Sequence, residues 1–113
     1  MKSCLITGAT GLIGSNLINK LLNKYELYIL THNNFITLPK EICNINIDLS
    51  KEISFASLPA KIDIIIHLAQ SVHFKEFPKH SSNIFNINTL STLKFLEYGQ
   101  LIGIKKFIYA SSG

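Results

Sequence analysis

Along the chain, short apolar runs alternate with stretches whose apolar residues recur at helical spacing. Lys2 to Thr7 (KSCLIT) is a compact apolar run that stops at a glycine, the pattern of a buried strand. From Leu12 to Lys24, the residues Leu12, Ile13, Leu17, Ile18, Leu21 and Leu22 fall on one face of a helix. Glu26 to Thr31 (ELYILT) reads as a second strand. Cys43 to Asp48 (CNINID) alternates polar and apolar residues, which predicts a strand with one less buried face. Ile62 to Leu68 (IDIIIHL) is β-branched almost throughout and predicts a buried strand. His80 to Gly99 carries Ile84, Ile87, Leu90, Leu93 and Leu96 as a helical stripe that ends near a glycine stop signal. Lys105 to Ala110 (KKFIYA) reads as a last strand. Between Ser50 and Leu58 the pattern suggests a short helix ended by Pro59. Phe74 to Ser82 is polar, contains a proline and reads as a loop.

The order is β-α-β-β-α-β-α-β, with the helices as crossovers. Crossovers of that kind imply parallel strands and right-handed connections. The fold class is therefore α/β, a doubly wound parallel sheet of about five strands in the order 3-2-1-4-5. No repeat, low-complexity tract or linker divides residues 1–113, which read as one domain.

Composition narrows the function classes. The chain has 113 residues, 47% of them apolar and 16% charged, a mean hydropathy of +0.27 and a net charge of +4. Enough apolar residues are present for a core, and disorder is excluded. No apolar run approaches the roughly 18 residues of a membrane span. The opening residues run into a glycine turn and show no signal-peptide pattern, so a cytoplasmic protein is expected. All eleven basic residues are Lys, and only Lys105 and Lys106 are adjacent. Without Arg the charge is a poor match to nucleic acid, and a solvated lysine surface is the expectation. Cys4 and Cys43 fall on strands two places apart, roughly 9–10 Å, which is beyond disulfide reach. Both are expected to fill the core, and no Cys/His cluster suggests a metal.

The sharpest feature is Thr7-Gly8-Ala9-Thr10-Gly11-Leu12-Ile13-Gly14. It directly follows the first strand and opens the first helix. In that context Gly8 would turn the chain sharply, Gly11 would let the backbone approach a pyrophosphate, and Gly14 would let the helix pack on the strand. The helix N-terminus would offer unpaired N–H groups to the phosphates. A dinucleotide is the implied ligand.

These residues resemble the nucleotide-binding turn of the extended short-chain dehydrogenase/reductases, the NAD-dependent epimerase/dehydratase group, which act mostly on nucleotide sugars. The likeness covers the whole chain and implies a Rossmann-like fold. Asp48-Leu49 resembles the family's Asp-Leu, whose carboxylate bonds the adenine amino group. His67-Leu68-Ala69 is similar to the family's His-Leu-Ala, with Leu68, Ala69 and Gln70 lining the cofactor. Asn88 to Leu96 resembles the family's Asn-Val-x-Gly-Thr-x-Asn-Leu-Leu, with Asn88 in the place of the Asn and Ser91 in that of the Gly. Phe107 to Ser112 looks like the strand that carries the catalytic serine, which makes Ser112 the candidate catalytic residue. The implied cofactor contacts are Gly8, Thr10, Gly11, Leu12, Ile13, Gly14, Thr31, His32, Asn33, Asp48, Leu49, Leu68, Ala69, Gln70 and Asn88.

Two departures qualify the likeness. After the second strand, where an acidic residue would grip the adenosine ribose, stand Thr31-His32-Asn33-Asn34. Neutral side chains can bond a hydroxyl, and the same residues also suit an ordinary polar turn. NAD is the expected cofactor, and NADP stays open. Secondly, the family's Tyr-x-x-x-Lys pair, its acid/base and the lysine that tunes it, is absent from these 113 residues. No tyrosine here has a lysine four positions on. His67, His73 and His80 read as structural or solvated residues. The expectation is the incomplete, cofactor-binding N-terminal part of an oxidoreductase that transfers hydride on a nucleotide sugar. Its full-length form would be a homodimer with no membrane or nucleic-acid partner. The alternatives are a non-catalytic dinucleotide-binding module and an inactive truncated product. The last strand would present an apolar edge that invites association.

Overall fold

The computed structural model describes residues 1–8, 12–31, 39–68 and 89–109, residues 12–15 by their backbone alone. Five parallel strands form one sheet: β1 (Ser3–Thr7), β2 (Glu26–Thr31), β3 (Cys43–Asn46), β4 (Ile64–His67) and β5 (Lys106–Tyr109). Their order is β3-β2-β1-β4-β5, as the alternation of elements predicts. Helix α1 (Leu12–Leu21) lies between β1 and β2, and helix α2 (Ser91–Ile102) between β4 and β5. The segment after Ser50 forms only a 3-10 turn, Phe55–Ser57. Helix α1 stops three residues before Lys24, in a turn at residues 22–24.

The period-two alternation of the strands sorts their side chains into two cores. Cys4, Ile6, Leu27, Ile29 and Ile66 meet Ile18, Leu17 and Leu21 of α1 on one face. Leu5, Leu30 and Ile65 meet Phe95 and Tyr98 of α2, with Leu58 and Ile62, on the other. The sheet is thus covered on both sides, the arrangement that all-parallel strands require. At its amino-terminal end, Asp63 ties three strands together. Its Oδ2 accepts from Ser3 N at 2.8 Å, and its carbonyl accepts from Lys105 N at 2.8 Å. The Ser3 backbone N–H holds the Asp63 carboxyl below its usual range.

Two expectations are corrected. Leu90, Leu93 and Leu96 do not form the buried face of α2; they are 38%, 51% and 46% exposed. The helix instead buries Ser91, Phe95, Tyr98 and Gly99. The aromatic face wins because Phe95 and Tyr98, three residues apart on one side of the helix, pack with Leu5 of β1 and Ile65 of β4. Gly99 leaves room for Ile104, which follows the helix: a Cβ there would lie 2.5 Å from Ile104 Cδ1 and at ordinary contact, 3.5 Å, from Ile65 Cδ1 of β4. The helix ends at Ile102, later than the sequence suggests, with Gly103 in the left-handed region at φ 73° as its cap. Cys43 is the second correction. Cys4 is buried in the core, but Cys43 is exposed, because β3 is an edge strand with only Ile45 turned partly inward. Both thiols are free, as their placement two strands apart requires.

Candidate functional site

In a doubly wound sheet, ligands bind beyond the carboxyl ends of the strands, where successive crossovers leave toward opposite faces. Here that point lies between β1 and β4. The chain leaves β1 by α1 on one face and leaves β4 toward α2 on the other. Gly8 stands directly at the end of β1 with φ 73°, a conformation that a side chain would strain. Four residues on, α1 begins at Leu12, so Leu12, Ile13 and Gly14 form its first turn beside the end of β1. Its N-terminus supplies the partial positive charge of a helix start at that point.

The other described candidates gather at the same end of the sheet. Thr31 closes β2 and is buried, and its hydroxyl donates to Asn44 Oδ1 at 2.7 Å. Asp48 follows β3, and its Oδ1 accepts from Ser50 N at 2.9 Å and Ser50 Oγ at 2.6 Å. That Asx turn fixes the carboxylate just beyond the carboxyl end of β3. Leu49, with Ile53, Leu90, Ser91 and Lys94, lines an open cleft of about 270 Å³. Leu68 leaves β4, and its N–H donates to Thr7 O at 3.1 Å and Thr7 Oγ1 at 3.0 Å. Thr10, Gly11, His32, Asn33, Ala69, Gln70, Asn88 and Ser112 lie outside the described residues.

One group of residues has a larger part than the sequence suggested. Thr7 and His67 are register partners on adjacent strands, both fully buried. Thr7 Oγ1 and His67 Nδ1 are 2.7 Å apart, and His67 Nε2 lies 3.4 Å from Ser91 Oγ. The rings of Phe95, Phe107 and Tyr109 surround the imidazole, at centroid distances of 5.3, 6.4 and 5.8 Å. Burial pulls the His67 pKa down to about 4, so the ring is neutral at pH 7. This agrees with the structural role read from the sequence and argues against a base that faces substrate. The signal available in the sequence is that two central, otherwise apolar strands both end on a polar residue. Among the described residues, no group of His, Cys, Asp and Glu could hold a metal ion.

The fold recurs in known proteins. UDP-glucose 4-epimerase from Thermotoga maritima superposes with a TM-score of 0.84 at 23% identity, over 98% of this chain and 38% of that one. L-threonine dehydrogenase from Clostridium difficile superposes with a TM-score of 0.79 at 30% identity, over 99% of this chain and 37% of that one. In sequence, the dTDP-D-glucose 4,6-dehydratase of Dictyostelium discoideum is 32% identical over 99% of this chain and 29% of its own length. The chain spans between 29% and 37% of the length of the curated relatives it matches. The model of the NAD dependent epimerase/dehydratase family matches residues 4–113. With the glycine turn at the end of β1, the sheet order and this match in agreement, the chain belongs to the NAD dependent epimerase/dehydratase family.

Proposed function

We propose that this chain is the NAD-binding part of a longer oxidoreductase of that family, with a nucleotide sugar as substrate. The observation that carries the reading is Gly8, at φ 73° between the central strand and the start of α1, at the switch point of the sheet. A left-handed glycine there lets the chain turn sharply between the strand and the helix start, whose N-terminus suits a pyrophosphate. The residues fit the dinucleotide. Gly8 and the α1 terminus would take the phosphates, Asp48 and Leu49 the adenine end, and Leu68 with Ala69 and Gln70 the wall beside the nicotinamide. Thr10, Gly11, His32, Asn33 and Asn88 complete the proposed contacts, and Thr31 orders the ribose side through Asn44. A bound nicotinamide supplies the hydride chemistry. Ser112 would bond the reacting hydroxyl or carbonyl, and the acid/base pair would come from outside these residues. Sequence relatives at 31% and 32% identity, named for UDP-glucose and dTDP-D-glucose, support the substrate class.

Titration of the chain with NADH, followed by nucleotide fluorescence, tests the reading. Saturable binding is expected, and Gly11→Val should abolish it by placing a branched side chain against the pyrophosphate. Equal binding by both proteins refutes the glycine-turn assignment. Turnover of a UDP-sugar by these 113 residues alone would refute the view that the acid/base pair lies elsewhere.

A further inference from the structure

We infer that Thr7, His67 and Ser91 form a side-chain bridge that sets the spacing of the two walls of the nucleotide crevice, with His67 as a positioning residue. The inference rests on the reading above for its binding consequence, but its geometry is independent of it. Thr7 is the last residue of β1 and His67 the last of β4. The switch point lies between the ends of these two strands, where Gly8 and Leu68 follow them. Beyond this pair, among the described residues, a single backbone bond, Leu68 N–H to Thr7 O at 3.1 Å, continues the ladder, and side chains add to it.

The bridge does this in three links. The Thr7 hydroxyl shares the Leu68 N–H with the Thr7 carbonyl, at 3.0 and 3.1 Å, which reinforces the hold on the first peptide beyond β4. It meets His67 Nδ1 at 2.7 Å, across the pair. On its far side the ring meets Ser91 Oγ at 3.4 Å, at the start of α2. A neutral imidazole has one donor and one acceptor. The two contacts therefore run in one sense round the ring, either Thr7 to His67 to Ser91 or the reverse. Aromatic rings from α2 and β5 exclude water from the ring, so no solvent partner replaces a lost link. Ser91 stands where the resemblance places a glycine, so the link to α2 is a device of this chain. The longer distance makes it the weaker link.

The mechanism is one of population. If the walls are held in the binding geometry for only a fraction of the time, apparent affinity falls by that fraction. The test uses the full chain, wild type and Thr7→Val, Thr7→Ser and Ser91→Gly, with two readouts. The first is NADH affinity, at a temperature where far-UV circular dichroism shows each protein folded. Thr7→Val should bind about tenfold more weakly, the scale of one buried hydrogen bond. Thr7→Ser should restore binding, and Ser91→Gly should lose about twofold to threefold, as the 3.4 Å contact implies. Lower melting temperatures with unchanged affinity in both Thr7→Val and Ser91→Gly would mean a purely structural role and overturn the proposal. The second readout is amide hydrogen exchange at Gly8 and Leu68. It should quicken in Thr7→Val and Ser91→Gly but not in Thr7→Ser. If wild type binds no NADH, the functional reading fails, and exchange alone decides the bridge: unchanged exchange overturns it. If Thr7→Val does not fold, Ser91→Gly carries both readouts.

Discussion

Acidification should destabilise this protein through one histidine. His67 is fully buried, and burial alone pulls its pKa from the ordinary 6.5 down to about 4. In the unfolded chain the imidazole takes up its proton near pH 6.5; in the fold it stays neutral until about pH 4. Between those values the unfolded state binds more protons, so stability falls as pH falls. The stabilisation is fully present above pH 6.5. From the two pKa values, about 2 kcal/mol is lost by pH 5 and about 3 kcal/mol by pH 4. That is a large share of the roughly 5–15 kcal/mol that holds a domain folded. The held-down Asp63 carboxyl acts lower, because its stabilisation is lost only as pH falls below the ordinary carboxylate value of 3.8. A window from pH 7 to pH 5 therefore separates the imidazole from this carboxyl, and the His67→Gln comparison separates it from the other three histidines. Among the described residues, no acidic or basic side chain contacts the ring; its neighbours are Thr7, Ser91, Phe95, Phe107 and Tyr109. Urea unfolding at pH 7, 6 and 5 should show the loss in wild type. It should be absent in His67→Gln, which cannot titrate, even though that variant starts less stable. Proton NMR of the His67 ring should show no titration down to pH 5. Equal pH slopes in both proteins, or a His67 midpoint near 6.5, would refute the reasoning.

Two further outcomes rest on the geometry. Gly103→Ala should cost about 1 kcal/mol from backbone strain at φ 73°, since nothing lies within 4 Å of the added methyl. Gly99→Ala should cost less, because its Cβ, 2.5 Å from Ile104 Cδ1, displaces only the end of a side chain while the helix gains about 0.5–1 kcal/mol; chemical denaturation ranks the two, and Ile104→Val should stabilise Gly99→Ala relative to its own parent. Burial pushes the Cys4 thiol up to about 12, while Cys43 is exposed, so iodoacetamide at pH 8 should label Cys43 in the native state and Cys4 only after unfolding. Equal labelling of both in the native protein would contradict the placement of Cys4 in the core.

The residues alone were enough for the class of fold, the strand order and the position of the glycine turn. Local signals carry these: β-branched runs, a glycine triplet after the first of them, and helical spacing between them. The family likeness was legible for the same reason, since its motifs sit on loops at predictable places. The buried face of α2 was not legible. Leu93, Leu96, Phe95 and Tyr98 all lie on one short helix, and both faces are apolar enough to be buried. Only packing against Leu5 of β1 and Ile65 of β4 selects the aromatic face. Cys43 likewise reads as core in a strand pattern and is exposed because its strand lies at the edge of the sheet. The Thr7–His67–Ser91 bridge was the least legible of all. Its members are 60 and 24 residues apart along the chain; the parallel register of β1 and β4 pairs Thr7 with His67, and the packing of α2 brings Ser91 to the ring. Sequence pattern determines which elements form; burial and hydrogen-bond partnership are properties of the pairs that the tertiary fold creates.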